Sequence, residues 1–307
     1  MTGVSLRHLH VIGVRYRRTQ LALDDERGLD AYAASGVYGS AGVPFDVVEP
    51  RFAGLTSQCA VADLGSLNGR IAGEVAAGCR EGSAILMTGG DCTHATGVVG
   101  GLQTAYGADL RLGLVWLDAH GDFNTPRTSL SGSLGGMPVA VCAGLAHAPW
   151  RDAAGIRAPL PTHRIALVGP RNLDTAEEQL LRATDVAIVA PADGFPGSPL
   201  EPTIEQLKRS CDALYLHVDA DILDASHVPS HGSKEGGGPS LQHVSDAVRT
   251  VMASGMVIAF ALVSIYNQGA AGRNSVASGI ELLESGLRAW REHGMPRPVY
   301  VSETKDL

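Results

Sequence analysis

Apolar residues in this chain alternate between two textures. Short unbroken runs read as strands: HLHVIGV near 10, AILMTG from 84, LGLVWLD from 112, RIALVG from 164, VAIVA from 186, ALYLHVDAD from 213, VIAFALVSIY from 257 and PVYVSE from 298. Between most of them lie segments spaced for one helical face, namely LNGRIAGEVAAGCREG, TIEQLKRSCDAL, SLQHVSDAVRTVMASG and SVASGIELLESGLRAWREHG. Several close on the Gly that helix C-termini favour. Continuous apolar strands separated by helices predict a parallel sheet of about eight strands covered on both faces, a three-layer α/β fold. No compositional break divides the chain, so residues 1–307 read as one domain whose richest loops span 121–136, 191–202 and 229–239.

Composition narrows the function classes. At 307 residues and 45% hydrophobic, the chain can bury a large core, because the buried fraction of surface rises with size to roughly three quarters at this length. The formal charge is −8, from 24 basic against 32 acidic residues. With no block of Lys or Arg, a nucleic-acid or anionic-membrane surface is not expected. No run of about 18 apolar residues predicts a membrane span. The N-terminal MTGVSLRHLHVIGVRYRR reads as a first strand, since its basic residues follow the apolar stretch, the reverse of a signal peptide. Five widely spaced cysteines, an odd number, suit a reducing compartment, and the chain is expected in the cytoplasm.

Polar residues collect where the apolar runs end: Asp91 and Cys92, Asp118 and His120, Asp219 and Asp221. In open α/β sheets ligands bind outside the carboxyl ends of the strands. In WLDAHGDFNTP, Asp118, His120 and Asp122 alternate, so an extended backbone points all three to one side. Buried together, the carboxylates repel and lose solvation unless a cation offsets them. The alternative is a surface loop capped by Asp. LHVDADILD repeats the pattern with Asp219 and Asp221. Paired carboxylates also serve as general acid and base, but two pairs plus a histidine fit two metals better. His217 reads as a core or wall residue and Asp224 as a turn residue.

GGDCTH, WLDAHGDFNTP, SGSLGGMP and HVDADILD…VPSHGSKEGGG follow in the order of four signatures of the arginase and agmatinase (ureohydrolase) family, which they resemble: GGDHS, DAHxDxNTP, SGNxHGMP and DxDxxDPxxAPGTGTPxxGG. The likeness runs from about residue 84 to 266. It implies an arginase-like fold and a binuclear manganese centre, two ions per chain, with Asp118 and Asp219 bridging both metals. His120 and Asp221 would complete one site and Asp122 and Cys92 the other. It also implies attack on the guanidino carbon by a hydroxide held between the metals, with Asp122 passing a proton to the leaving amine. Asn124 and Ser131, with Ser133 in place of the usual Asn, match residues around the substrate carboxylate. Asp174 in GPRNLDTAEE matches the residue that takes the α-amino group, with Asn172 before it; Asp174 also reads as the N-cap of a helix from Thr175. The family's oligomers imply a trimer or hexamer.

Three departures bear on substrate. Cys92 stands where the family has a histidine ligand, and a soft thiolate suits manganese poorly. In order of preference, Cys92 binds as thiolate, the second site is labile, or His94 substitutes; a nucleophilic Cys92 ranks below these. Gly135 replaces the family's proton-shuttling histidine, and Ile265 the glutamate that pairs with guanidinium. Burying an unpaired guanidinium is costly, whereas a hydroxyguanidine is less basic and can enter neutral. The leading reading is therefore hydrolysis of N-hydroxy-L-arginine to ornithine and hydroxyurea, as in the N-hydroxyarginine-hydrolysing members. The alternatives are a non-catalytic homologue with a binding or regulatory role, and a hydrolase of another amidine or amide in which Ile265 shapes an apolar pocket.

Overall fold

The computed structural model describes residues 4–52 and 59–298. Its strands are β1 (Leu9–Val14), β2 (Tyr16–Arg17), β3 (Gln20–Leu21), β4 (Phe45–Val48), β5 (Ala84–Gly89), β6 (Leu112–Leu117), β7 (Ile165–Val168), β8 (Ala187–Val189), β9 (Ala213–Asp219) and β10 (Val257–Val263). Eight of them form one sheet in the order β4-β1-β5-β10-β9-β6-β7-β8, parallel throughout; β2 and β3 make a small antiparallel ribbon. The helices are α1 (Leu29–Ser35), α2 (Ala60–Arg80), α3 (Ala95–Tyr106), α4 (Pro138–Cys142), α5 (Ala148–Ala153), α6 (Thr175–Arg182), α7 (Leu200–Ser210), α8 (Leu241–Ala253) and α9 (Gly269–His293). They cover both faces of the sheet, with α2 against α3 and α5 in one group and α8 against α9 and α7 in another. The expected three-layer α/β architecture is the one observed. Among the described residues no helix is long and apolar enough to cross a membrane.

The four central strands, β5, β10, β9 and β6, are neighbours in space although β10 is last in the chain. Every residue of these four strands is buried. That explains their unbroken apolar runs and makes their carboxyl ends a rigid, dry rim. Register aligns those ends: Leu117 pairs with Val218, and Val263 with Asp219. Helix α3 can approach α2 closely because Gly101 faces it, where a Cβ would lie 2.4 Å from Val75 Cβ. The packing anchors the segment that follows β5.

Several elements differ from the sequence reading, the unexpected β2–β3 ribbon among them. Strand β4 was not expected; it is an edge strand with Phe45 and Val47 exposed, so its short pattern lacks the continuous apolar signal of a central strand. The VIAFALVSIY run ends as a strand at Val263, because Ser264 takes a left-handed conformation at φ 61°. The last predicted strand, PVYVSE, falls at 298–303, of which all but Pro298 lie outside the described residues.

Candidate metal centre

Gly89 and Gly90 leave β5 in left-handed conformations, φ 73° and 65°. At Gly90 a Cβ would also meet His94 Nδ1 at 2.7 Å, so this turn requires glycine. Asp91 then caps a single helical turn: its Oδ1 accepts from Thr93 N–H at 3.0 Å and its Oδ2 from Arg18 N–H at 2.7 Å. The turn delivers Cys92 to the rim, 5% exposed. His94 is fully occupied elsewhere, its Nδ1 accepting from Asp91 N–H at 3.0 Å and its Nε2–H donating to Arg18 C=O at 2.8 Å. It cannot replace the missing imidazole; that expected alternative is overturned.

From β6, Asp118 Oδ2 accepts from Trp116 Nε1–H at 3.0 Å and Oδ1 from His120 N–H at 2.7 Å. His120 Nδ1 lies 3.3 Å from Asp118 Oδ1 and 3.0 Å from Asp221 Oδ2. Asp122 is buried on a left-handed backbone, φ 47°, a region Asp tolerates better than most residues. From β9, Asp219 Oδ1 accepts from Asp221 N–H at 2.9 Å, while its Oδ2 accepts from Cys92 Sγ–H at 2.9 Å and from Ser264 Oγ–H at 2.6 Å. Cys92 Sγ is also 3.4 Å from His217 Nε2. His217 is the expected wall residue: fully buried, stacked on Trp116 with ring centroids 3.7 Å apart, and bonded through Nδ1 to Tyr215 Oη at 2.8 Å. Asp224 is the expected turn residue, bonding Ser226 and Gly237.

Gathered in one buried place, these groups shift one another's titration. Burial, then the Asp221 and Asp219 charges, push the Asp118 carboxyl well above the carboxylate range. Burial, then Asp118, does the same to Asp122. Burial, then Asp219, Asp122 and Asp118, holds the Cys92 thiol well above its ordinary value. Burial opposes the charge on His120 too, but its bonds to Asp118 and Asp221 outweigh that and raise it, and in return they lower Asp221. Donor atoms gather in three groups, each within 4.8 Å: Cys92, Asp118 and Asp122; Asp118, His120 and Asp221; Asp219, Asp221 and His231. An oxygen-rich set with imidazole fits hard or borderline divalent ions such as manganese, and two ions with shared carboxylates would lift the repulsion. All six sequence-predicted donors are thus brought together.

A cleft of about 480 Å³ opens over this cluster and is also lined by Asn124, Ser131, Ser133 and Asp174. Asn124 Nδ2–H donates to Asp174 Oδ2 at 3.1 Å. Asp174 is the expected N-cap of α6, its N–H bonded by Glu177 Oε2 at 3.3 Å, and it also lines the cleft. Ser133 Oγ accepts from Arg18 Nη2–H at 2.9 Å, and a side chain at Gly135 would meet that guanidinium at 3.7 Å. Ile265 does not line the cleft, whose wall there is Ser264 and Tyr266. It packs toward Gly28 and Gly279, because the left-handed turn at Ser264 rotates it into the core. An apolar pocket shaped by Ile265 is therefore ruled out.

Four residues at the site went unread in the sequence. Ser264 bonds Asp219; Glu235 lies 3.3 Å from His120 Nε2 and accepts from Asn172; Glu177 accepts from Phe123 N–H at 2.8 Å; His231 joins the third donor group. Only His231 had a readable signal: in VPSHGSKEGGG it occupies the first threonine of the APGTGTP signature.

Comparison with known proteins agrees with this geometry. The arginase family model matches residues 16–287. The arginase of Bacillus caldovelox is 35% identical over 157 residues, 50% of this chain and 51% of that protein. The arginase of Bacillus subtilis strain 168 is 29% identical over 184 residues, 59% and 60% of the two chains. The matched region thus spans about half to three fifths of these relatives' length. The crystal structure of arginase from Bacillus cereus superposes with a TM-score of 0.78 at 24% identity, covering 92% of this chain and 98% of that one, a likeness of fold. With the family model matching most of its length, this chain belongs to the arginase family.

Proposed function

We propose that this chain is a two-metal hydrolase cleaving a C–N bond of a guanidino amino acid, foremost N-hydroxy-L-arginine, which with one water gives L-ornithine and hydroxyurea. The observation that carries this reading is the gathering of Asp118, Asp122, Asp219 and Asp221 at one buried rim, where among the described residues the ion-pair partners of these carboxylates are imidazoles alone. Asp118, His120, Asp122, Asp219, Asp221 and Cys92 would hold the two ions. Manganese, when held there, would supply an activated water near neutral pH and offset charge developing on the substrate. Asp122 carries a proton to the leaving amine. Asn124, Ser131 and Ser133 orient the substrate carboxylate, and Asp174 takes its α-amino group.

The hydroxylated substrate is favoured over arginine by what the cleft lacks. Ile265 is turned into the core and Gly135 has no side chain, so no added carboxylate meets a guanidinium where arginases place their glutamate. A neutral hydroxyguanidine avoids the cost of an unpaired buried cation. We place the enzyme in the cytoplasm as a trimer or hexamer; none of the cysteines forms a disulfide among the described residues.

The test is turnover by manganese-loaded protein of L-arginine, N-hydroxy-L-arginine and agmatine, with ornithine, putrescine, urea and hydroxyurea followed by mass spectrometry. The expected result is a kcat/KM for N-hydroxy-L-arginine at least tenfold above that for arginine. Preference for arginine, or no turnover of any of the three by protein holding two ions, overturns the substrate assignment.

A further inference from the structure

We infer that His231 is a metal ligand through Nε2, so that the imidazole missing at position 92 is supplied from the opposite end of the cluster, on the ion held by Asp219 and Asp221. This rests on the two-metal reading above and goes beyond it, because the APGTGTP signature has threonine at this place and no imidazole.

Three observations converge on the assignment. His231 is 93% buried, only 7% exposed, and its Nε2 has no hydrogen-bond partner. The nearest acid, Asp219 Oδ1, is 3.6 Å away, too far for a hydrogen bond, yet the three donors Asp219, Asp221 and His231 lie within 4.8 Å of one another. An unpaired ring nitrogen in so dry a place leaves a strong polar group unsatisfied; a cation among these donors satisfies it. The other ring nitrogen is already committed: Nδ1 lies 2.6 Å from the Ser233 backbone carbonyl and 3.1 Å from the Ser233 N–H, and the shorter contact, to a group that can only accept, places the neutral ring's proton on Nδ1 and leaves Nε2 facing the carboxylates. Metal-ligating histidines are oriented this way, with the far N–H donated to a carbonyl or carboxylate. The edge of the ring also meets Tyr266 at 89°, with centroids 5.1 Å apart, which restricts its rotation.

The consequence is a lopsided pair of ions. The one among Asp118, His120, Asp219, Asp221 and His231 gains two imidazoles, while the one beside Cys92 and Asp122 has none. Manganese should therefore fill the first position tightly and the second weakly.

Equilibrium dialysis against manganese with mass-spectrometric metal counting tests this on the full chain, comparing the unaltered protein with His231→Gln and Cys92→Ser. Pulsed EPR on one-ion protein, with and without ¹⁵N-histidine, counts coupled imidazoles without recourse to any variant. The expected result is two coupled imidazoles on the tight ion, at least tenfold weaker tight binding in His231→Gln, and tight binding within twofold of unaltered in Cys92→Ser. If two ions bind but only one imidazole couples and His231→Gln leaves the tight constant unchanged, this inference falls and the two-metal reading stands. If the unaltered protein binds no manganese at millimolar concentration, both fall together.

Discussion

The two ends of the donor cluster are built from the same carboxylates but surrounded differently. At the His120 end the donors are charged partners: His120 lies between Asp118 and Asp221, Glu235 stands at 3.3 Å behind it, and Asp221 is held below the ordinary carboxylate range. At the Cys92 end the donors are dry and neutral: a thiol bonded to Asp219, a neutral imidazole at 3.4 Å and a Trp ring behind that. Burial pushes His217 down to about 3, so it brings no charge to that corner. An ion entering the His120 end displaces a proton from an imidazolium held between two carboxylates, whereas at the Cys92 end it displaces protons from the neutral acids Cys92 and Asp122. Metal affinity is thus set as much by the protons a corner holds as by its ligands.

Removing the difference in ligands tests the comparison most strongly. Cys92→His restores an imidazole to the soft corner, where manganese prefers nitrogen and oxygen to sulfur. The weaker of the two manganese constants should tighten by roughly 10- to 100-fold, the range typical of changes that tune metal sites, and the tighter one should stay put. Equilibrium dialysis reads both. An unchanged weak constant means that sulfur is not the cause of the asymmetry.

A change of pH acts on both corners. In the metal-free protein Asp118, Asp122 and Cys92 titrate above their ordinary values because burial favours the neutral form, and His120 and His231 titrate high, the latter at about 9. For the acids and histidines alike the folded pKa is raised above the unfolded one. Their contribution to metal-free stability is therefore complete below the unfolded values, near 4 for Asp and 6.5 for His, and is lost as pH climbs through the raised ones. Metal requires the deprotonated forms, so its binding reverses the trend. The rise in Tm on adding a fixed excess of manganese should be larger at pH 8 than at pH 5.5, by several degrees, as differential scanning fluorimetry reads. Equal rises at both values would mean that protons and ions do not compete here.

How far the sequence foretold this site depends on periodicity. Asp118, His120 and Asp122, and Asp219 with Asp221, were legible because each follows an unbroken apolar strand at a spacing of two. The expectation of one shared side held even though Asp122 and the turn after Asp219 leave the extended conformation. Cys92 ranks ahead of His94 as the ligand, and the hydrogen bonds of the turn decide which of the two is free to face the rim, because they occupy both ring nitrogens of His94. His231 and Glu235 arrive on a loop with no repeat, where position follows from long-range closure; the edge strand β4 lacked the buried pattern that marks central strands. Ile265 misled in the opposite direction, because one left-handed residue at Ser264 reverses which face the next side chain meets.

The smallest effect isolates the neutral corner. The thiol proton of Cys92 goes to Asp219 Oδ2, leaving sulfur to accept from His217 Nε2–H, and Nδ1 then accepts from Tyr215 Oη–H at 2.8 Å. That tautomer satisfies both neighbours of a ring with no access to water. Tyr215→Phe keeps the ring's volume and leaves Nδ1 unpaired, which should cost about 1–3 kcal/mol of stability. A metal bound at Cys92 needs thiolate, and His217 Nε2–H is the donor that would support it. Once Tyr215 no longer fixes the tautomer, the weak manganese constant should loosen by about threefold to tenfold, while the tight one, which meets this chain of bonds only at Asp219, should move less than twofold. Urea denaturation and dialysis give the two numbers. Equal loosening of both constants would show that the corners share one electrostatic fate, and the contrast between them would then come from ligand identity alone.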